Sequence, residues 1–297
     1  MTPHSHRRWA LAGLLTPVTL LLAGCFLVPL GIMATYSFLS PGLYGGVEWE
    51  FYPFNYGRVL GAPLGDLEEF DPVYGAIFLR SARLALITVA VCLVLCYPAA
   101  FWVSRLTGAR KPLVLFLVTL PFFANLIVRV YAWMLVLRPT GVLTRALDAV
   151  GLGALAPDLM FTETAVVIGL AYVLLPFMFL PLYASIEKLD PALLQASQDL
   201  GASPRQGFLR VTLPLTAPGI LAGCLLVFIP AFGNFVVPAL LGGAKVMLVG
   251  NTSEQQFLAA RNWPFGAALA MLVLGVLLAG LLAYALRFRR GVAPAAS

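Results

Sequence analysis

Residues 187–214 read EKLDPALLQASQDLGASPRQGFLRVTLP, a polar stretch set between two long apolar runs. Its punctuation is that of two short helices. Asp190 before Pro191 makes an N-cap followed by a proline at the first helical position. Leu193, Ala196 and Leu200 then recur at i, i+3 and i+7, which puts them on one face of a helix running from Pro191 to Leu200. Gly201 stands where a left-handed residue ends such a helix, and Ser203 with Pro204 opens the next. The apolar stripe has no other visible cover, so the element is expected to dock into a partner's groove. An amphipathic turn lying on lipid is the plain alternative.

Working outward, apolar runs extend from Leu11 to Phe38, Ile77 to Val103, Leu113 to Leu137, Ala165 to Ile186, Leu215 to Leu241 and Phe265 to Leu286. Each meets the requirement of roughly 20 residues for crossing a bilayer. The whole chain is 61% hydrophobic and 11% charged with a mean hydropathy of +0.92, against about 25% charged in a soluble domain. The expectation is an all-α integral membrane protein with six transmembrane helices. Pro17, Pro29, Pro98, Pro121, Pro176, Pro181, Pro218 and Pro230 lie within the runs, so kinked helices are expected. Residues 1–72 read as a first helix and external loop, and residues 73–290 as a five-helix core.

The net charge of +6 belongs to topology rather than to nucleic-acid binding, because the basic residues bracket the apolar runs. With the N-terminus inside, eleven Lys and Arg fall on the cytoplasmic side, from Arg7 and Arg8 to Arg287, Arg289 and Arg290, against five outside. Both termini are therefore placed in the cytoplasm. Leu22-Ala23-Gly24-Cys25 has the look of a lipoprotein cleavage site, but the apolar run continues through Phe38 instead of entering a polar tether. Cys92 and Cys96, one turn apart, could share a metal; with no His, Asp or Glu in any span to complete a site, both read as small buried hydrophobes. The external loop from Ser40 to Tyr74 carries an acidic cluster at Asp66, Glu68, Glu69 and Asp71.

The 187–214 loop resembles the motif of type I ABC importer permeases, E-A-A-x3-G-x9-I-x-L-P. Gln195, Ala196 and Ser197 take the E-A-A places, Gly201 the glycine, Val211 the isoleucine, and Leu213 with Pro214 the terminal pair. Gln195 and Ser197 depart from the motif, which removes the charge a glutamate would bring to an ATPase contact. The stretches LPFFANLIVRVYAW (120–133), GLAYVLLPFMFLPLYASIEKLD (169–190), 214–230 and RNWPFGA (261–267) resemble the spermidine/putrescine permeases of the Pot type. Similar permeases serve thiamine, ferric ion, opines and phosphonates.

The resemblance implies the MetI-like transmembrane fold and a bacterial inner-membrane location. It also implies a non-catalytic subunit that works with a distinct second permease, a cytoplasmic ATPase dimer and a periplasmic binding protein. No G-x-x-x-x-G-K-[ST] loop is present in the sequence, so ATP-Mg is assigned to the partner ATPase and no cofactor to this chain. The residues expected to couple to that ATPase are Leu194, Gln195, Ala196, Ser197, Leu200, Gly201, Ala202 and Arg205.

For a substrate path, Phe122, Phe123, Tyr172, Phe177 and Phe228 lie roughly 12–21 Å from the nearest span end at 1.5 Å per residue. Rings attract ammonium groups by about 0.5–2 kcal/mol each, which suits a polycation; packing is the bland reading. Asn125 and Asn234 are candidates to hydrogen-bond a passing ammonium or to join helices. Arg80, Arg83 and Arg129 are the charges inside the runs. Arg129, 18 residues beyond Lys111 or roughly 27 Å, reads with the other two as an anchor that snorkels to an interface. A proton-coupled transporter is disfavoured because all thirteen Asp and Glu fall in loops. A scaffold would leave the 187–214 register unexplained.

Overall fold

The computed structural model describes residues 3–61, 72–151 and 158–289. The acidic cluster from Asp66 to Asp71 lies outside the described residues. Among these, six helical stretches are long and apolar enough to cross a membrane. The helices in chain order are α1 (Pro3–Tyr36), α2 (Phe54–Val59), α3 (Val73–Ser104), α4 (Arg110–Thr119), α5 (Leu126–Leu137) and α6 (Val142–Ala149), followed by α7 (Glu163–Glu187), α8 (Pro191–Asp199), α9 (Pro204–Gly207), α10 (Leu213–Phe232), α11 (Val249–Leu258) and α12 (Trp263–Arg289). Strands β1 (Leu39–Pro41) and β2 (Val47–Phe51) pair antiparallel after α1.

The chain divides into two compact units, residues 1–75 with 253–297 and residues 76–252. The division groups the last helix with the first, whereas the sequence reading set residues 73–290 apart as one core.

In the first unit, α1 packs on α12. Its apolar side chains from Leu15 to Val28 are largely exposed, as befits a helix whose solvent is lipid. Asn55 on α2 is buried, and its Nδ2 donates to the carbonyls of Ser37 at 3.1 Å and Leu39 at 2.9 Å. That bond set ties the strand pair to α2 where the chain has left the helix and must satisfy its backbone elsewhere. Arg58 lies over the Phe265 ring at 4.6 Å, and Tyr74 meets the same ring edge-on at 5.0 Å.

In the second unit, α7 and α10 form the most extensive helix pair. The reason is legible atom by atom. Gly219 and Gly223, four residues apart, share one face of α10; a Cβ on Gly219 would lie 2.8 Å from the Pro181 carbonyl, and one on Gly223 2.7 Å from Met178 Sδ. Small residues at this spacing let backbones approach where no hydrophobic effect drives helices together. α3 joins the pair through Tyr97, whose hydroxyl lies 2.9 Å from Thr216 Oγ1. The buried Cys92 and Cys96 thiols each point at α7 carbonyls, Ala171 and Leu175, at 3.6 Å.

Two spans depart from the sequence reading. The run Leu113 to Leu137 is not one helix: α4 ends at Thr119, Leu120–Phe123 form a 3₁₀ turn, Ala124 is extended, and α5 begins after Asn125. Pro121 has no N–H to give and its ring crowds the carbonyl four residues back, which ends the ladder. The run Leu215 to Leu241 likewise stops at Phe232, and the chain turns at Gly233 before a π-helical turn at Pro238–Gly242. The other four spans match their runs to within a few residues, apart from α1, which begins eight residues before its run.

Candidate functional site

The 187–214 element is built from caps at nearly every turn. Asp190 Oδ1 accepts from the Ala192 amide at 2.9 Å and starts α8. At its other end Gly201 adopts φ +81°, the Gly201 amide donates to the Gln198 carbonyl at 2.8 Å, and the Ala202 amide reaches the Ser197 carbonyl at 3.0 Å. This pair of bonds is a Schellman motif, and it needs the left-handed residue that only glycine adopts without strain. Ser203 and Gln206 close a capping box at the start of α9, with Gln206 Oε1 accepting from the Ser203 amide at 2.9 Å. The S-x-x-Q spacing is the signal of this box, which the sequence reading, resting on Ser203 and Pro204, did not use. The second helix does not stop at Gly207 but runs through a π-helical turn, Phe208–Thr212, directly into α10.

The predicted residues separate into two faces. Leu200 is 89% exposed, and Gln195, Ala196, Gly201 and Arg205 are exposed beside it, with Leu193 also in the open. Ala202 is half-buried, as are Leu194 and Ser197, which turn inward. The Leu194 Cδ1 and Ser197 Oγ atoms would stand 3.2 Å from a Cβ at the buried Gly207, where α8 and α9 close on each other. Gly207 is therefore a packing position that the sequence reading missed. Leu194 and Ser197 pack against Gly207 within the element.

Behind α8 is a cavity of about 510 Å³ lined by Phe101, Arg105, Glu187, Asp190, Gln195 and Gln198 among others. At its edge Lys111 Nζ pairs with Glu187 Oε1 at 2.5 Å and donates to the Ser104 carbonyl at 3.3 Å. The bond to the Glu187 carboxylate pushes the Lys111 amine above its ordinary value. The start of α4 is thus tied to the end of α7, three residues before Asp190.

Within the spans the predicted aromatics form separate pairs. Phe122 meets Phe177 edge-on at 5.5 Å and Phe123 at 6.3 Å, while Phe123 itself is 79% exposed. Tyr172 meets Trp133 at 5.6 Å, and Phe228 stacks on Phe232 at 5.8 Å, with Phe78 beyond at 6.1 Å. Trp133, Phe232 and Phe78 were not singled out from the sequence. Asn125 Oδ1 caps the Ile127 amide at 2.8 Å and Asn234 Oδ1 caps the Val237 amide at 2.9 Å. Both bonds are local caps, and neither joins two spans.

The structure gives the arginines partners and surroundings that the sequence reading did not name. Arg83 and Arg80 both pair with Glu163 at the start of α7, Arg80 Nε at 3.5 Å. They stay about half exposed at the span end and share one carboxylate, a pairing the sequence reading did not name. Arg129 is half-buried: its Nε and Nη1 are enclosed without a hydrogen-bond partner, and its Nη2 is not among the enclosed atoms.

Residues 92–292 match the family model for the binding-protein-dependent transport system inner membrane component. The spermidine/putrescine transport system permease protein PotB of Escherichia coli K12 is 46% identical over 256 residues, covering 85% of this chain and 89% of the relative. PotB of Haemophilus influenzae is 50% identical over 202 residues, 68% of this chain and 71% of the relative. A bacterial ABC transporter involved in the import of the acidic polysaccharide alginate superposes with a TM-score of 0.66 at 18% identity, over 97% of each chain. At that identity the likeness is one of fold.

Proposed function

The chain belongs to the binding-protein-dependent transport system inner membrane components, and from that premise we propose that it is the permease subunit of an ATP-driven importer of spermidine and putrescine. The observation that carries the cargo assignment is the 46% identity to a spermidine/putrescine permease over nearly the whole of both chains. The aromatic pairs in the spans are consistent with it, since rings hold an ammonium weakly enough to release it.

In this reading both termini lie in the cytoplasm and the 187–214 loop faces a cytoplasmic ATPase dimer, which binds ATP-Mg. The exposed face of Gln195, Ala196, Leu200, Gly201 and Arg205 seats in an ATPase groove. Closure of the ATPase then pulls α8. The pull reaches α7 through Asp190 and α10 through the unbroken path from α9, and the close Gly219 and Gly223 contacts make α7 and α10 move as a pair. A second permease subunit completes the path, and a periplasmic binding protein delivers the cargo.

The test is ATP-dependent uptake of labelled spermidine and putrescine into liposomes holding this chain with its co-encoded partners. Uptake of either supports the proposal. ATPase activity stimulated by the binding protein without polyamine uptake would discard the cargo and keep the importer.

A further inference from the structure

Arg129 carries the one guanidinium among the described residues whose enclosed nitrogens are left without an acceptor. It stands one turn into α5, between Asn125 and Trp133 at i−4 and i+4, and it is half-buried. Arg138, the next charged residue along the chain, is nine residues on, about 14 Å along a helix, farther than an arginine side chain reaches. An enclosed charge in a span is retained where a counter-charge meets it, and here none comes from this chain's spans, since all thirteen Asp and Glu lie in loops or at span ends. Asp148 on α6, Asp158 before α7 and Glu163 at its start, the described acids of the same unit that precede the 187–214 element, are not paired with it.

We propose that Arg129 receives a carboxylate of the second permease chain, at membrane depth, when the transporter assembles. This rests on the two-permease reading above. A soluble binding protein does not enter the membrane, so a carboxylate at this depth comes from another spanning chain. Ile127, Val128, Tyr131 and Leu135 of α5 are all at least half exposed and apolar in character, on the side of the helix away from Arg129, so α5 has an uncovered flank in a span. The pairing also removes an obstacle to the proposed cargo. A bare guanidinium one turn from the Trp133–Tyr172 pair repels a polyamine, and a carboxylate beside it cancels that field.

The experiment uses the full chain, affinity-tagged and expressed with its co-encoded partners, and reads the second permease recovered with it. Arg129→Met should lower that recovery at least tenfold, while the membrane level of the chain expressed alone stays at wild type. Arg129→Glu combined with reversal to Lys of one Asp or Glu in the second permease should restore recovery, which identifies the partner acid. Three outcomes overturn the proposal. One is full recovery with Arg129→Met, whether a lipid phosphate or nothing then meets the guanidinium. The second is an equal fall in the chain expressed alone, and the third is restoration by reversing Asp66, Glu68, Glu69 or Asp71 of this chain instead. A wild-type chain that recovers no second permease at all refutes the two-permease reading itself, and so separates that failure from failure at Arg129.

Discussion

Gly201 offers the sharpest test of the coupling assignment, because backbone and docking make different demands on it. Its φ of +81° places an L-residue in the left-handed region, at a cost of about 1–2 kcal/mol for alanine. Within the chain a Cβ at Gly201 would meet nothing within 4 Å, so there is no steric addition to that figure. If only the Schellman turn matters, Gly201→Asn should be milder than Gly201→Ala, since asparagine tolerates this conformation. Alanine alone would shift the loop's folding equilibrium by about 5–30-fold. If Gly201 is pressed against an ATPase, loss of uptake should instead follow side-chain size and charge, with alanine mildest, asparagine worse and aspartate abolishing transport. We expect the second order, measured as polyamine uptake in liposomes at matched membrane levels. Limited proteolysis of the 187–214 loop in the chain alone reports the backbone contribution separately. Wild-type uptake by Gly201→Asp would refute the docking role outright.

At Gly219, alanine brings a methyl onto the Pro181 carbonyl and the Ser185 side chain, an overpacking expected to cost about 1–3 kcal/mol; thermal unfolding in detergent should shift down for Gly219→Ala and not for Gly24→Ala, whose methyl enters open space. Tyr172→Ala and Phe177→Ala should slow uptake without changing basal ATP hydrolysis, and unchanged kinetics would reduce both residues to packing. Lys111→Gln and Glu187→Gln should impair coupling equally, with the double variant no worse than either. Because the Lys111 amine is raised in the folded chain, its pairing is complete below its unfolded value of about 10.5 and is lost only as pH rises through the higher folded value. The coupling of the wild type should therefore show no Lys111-dependent change from pH 7 to 9.

The 187–214 element was readable residue by residue because its chemistry is local. Asp190 with Pro191, Gly201, and Ser203 with Pro204 each cap within a few residues, and the structure places every one of them as the spacing required. The outward stripe of Leu193, Ala196 and Leu200 was readable from its spacing, and the inward turn of Leu194 and Ser197 was not. Leu194 and Ser197 turn inward because Gly207, thirteen residues past Leu194, has no side chain to hold them off. The Arg80–Glu163–Arg83 cluster was hidden for the same reason, since Glu163 lies 80 residues or more from both arginines and only the meeting of α3 with α7 joins them. Hydropathy, in turn, reports where a run can live and not whether it is one helix. That is why the third and fifth runs read as continuous.

Proline content alone would not have found those two breaks. α7 keeps Pro176 and Pro181 inside an unbroken helix, and α3 keeps Pro98. The interrupted spans share a further feature: Pro121-Phe122-Phe123-Ala124-Asn125 and Pro230-Ala231-Phe232-Gly233-Asn234 both place an asparagine four residues after a proline. In each the asparagine oxygen caps a new helical start, at Ile127 and at Val237. A proline opens the ladder, but in a membrane the freed backbone must be satisfied again, and only where a capping residue follows at once can the helix restart. Each break also leaves an aromatic at the end of the preceding segment, Phe122 with Phe123 in one span and Phe232 with its partner Phe228 in the other. Most of the predicted path residues, including both asparagines, thus sit at or beside interruptions. Discontinuous helices put carbonyls and amides at membrane depth where a solute can reach them, so the two proline–asparagine pairs, rather than the rings alone, set where a path through this chain would run.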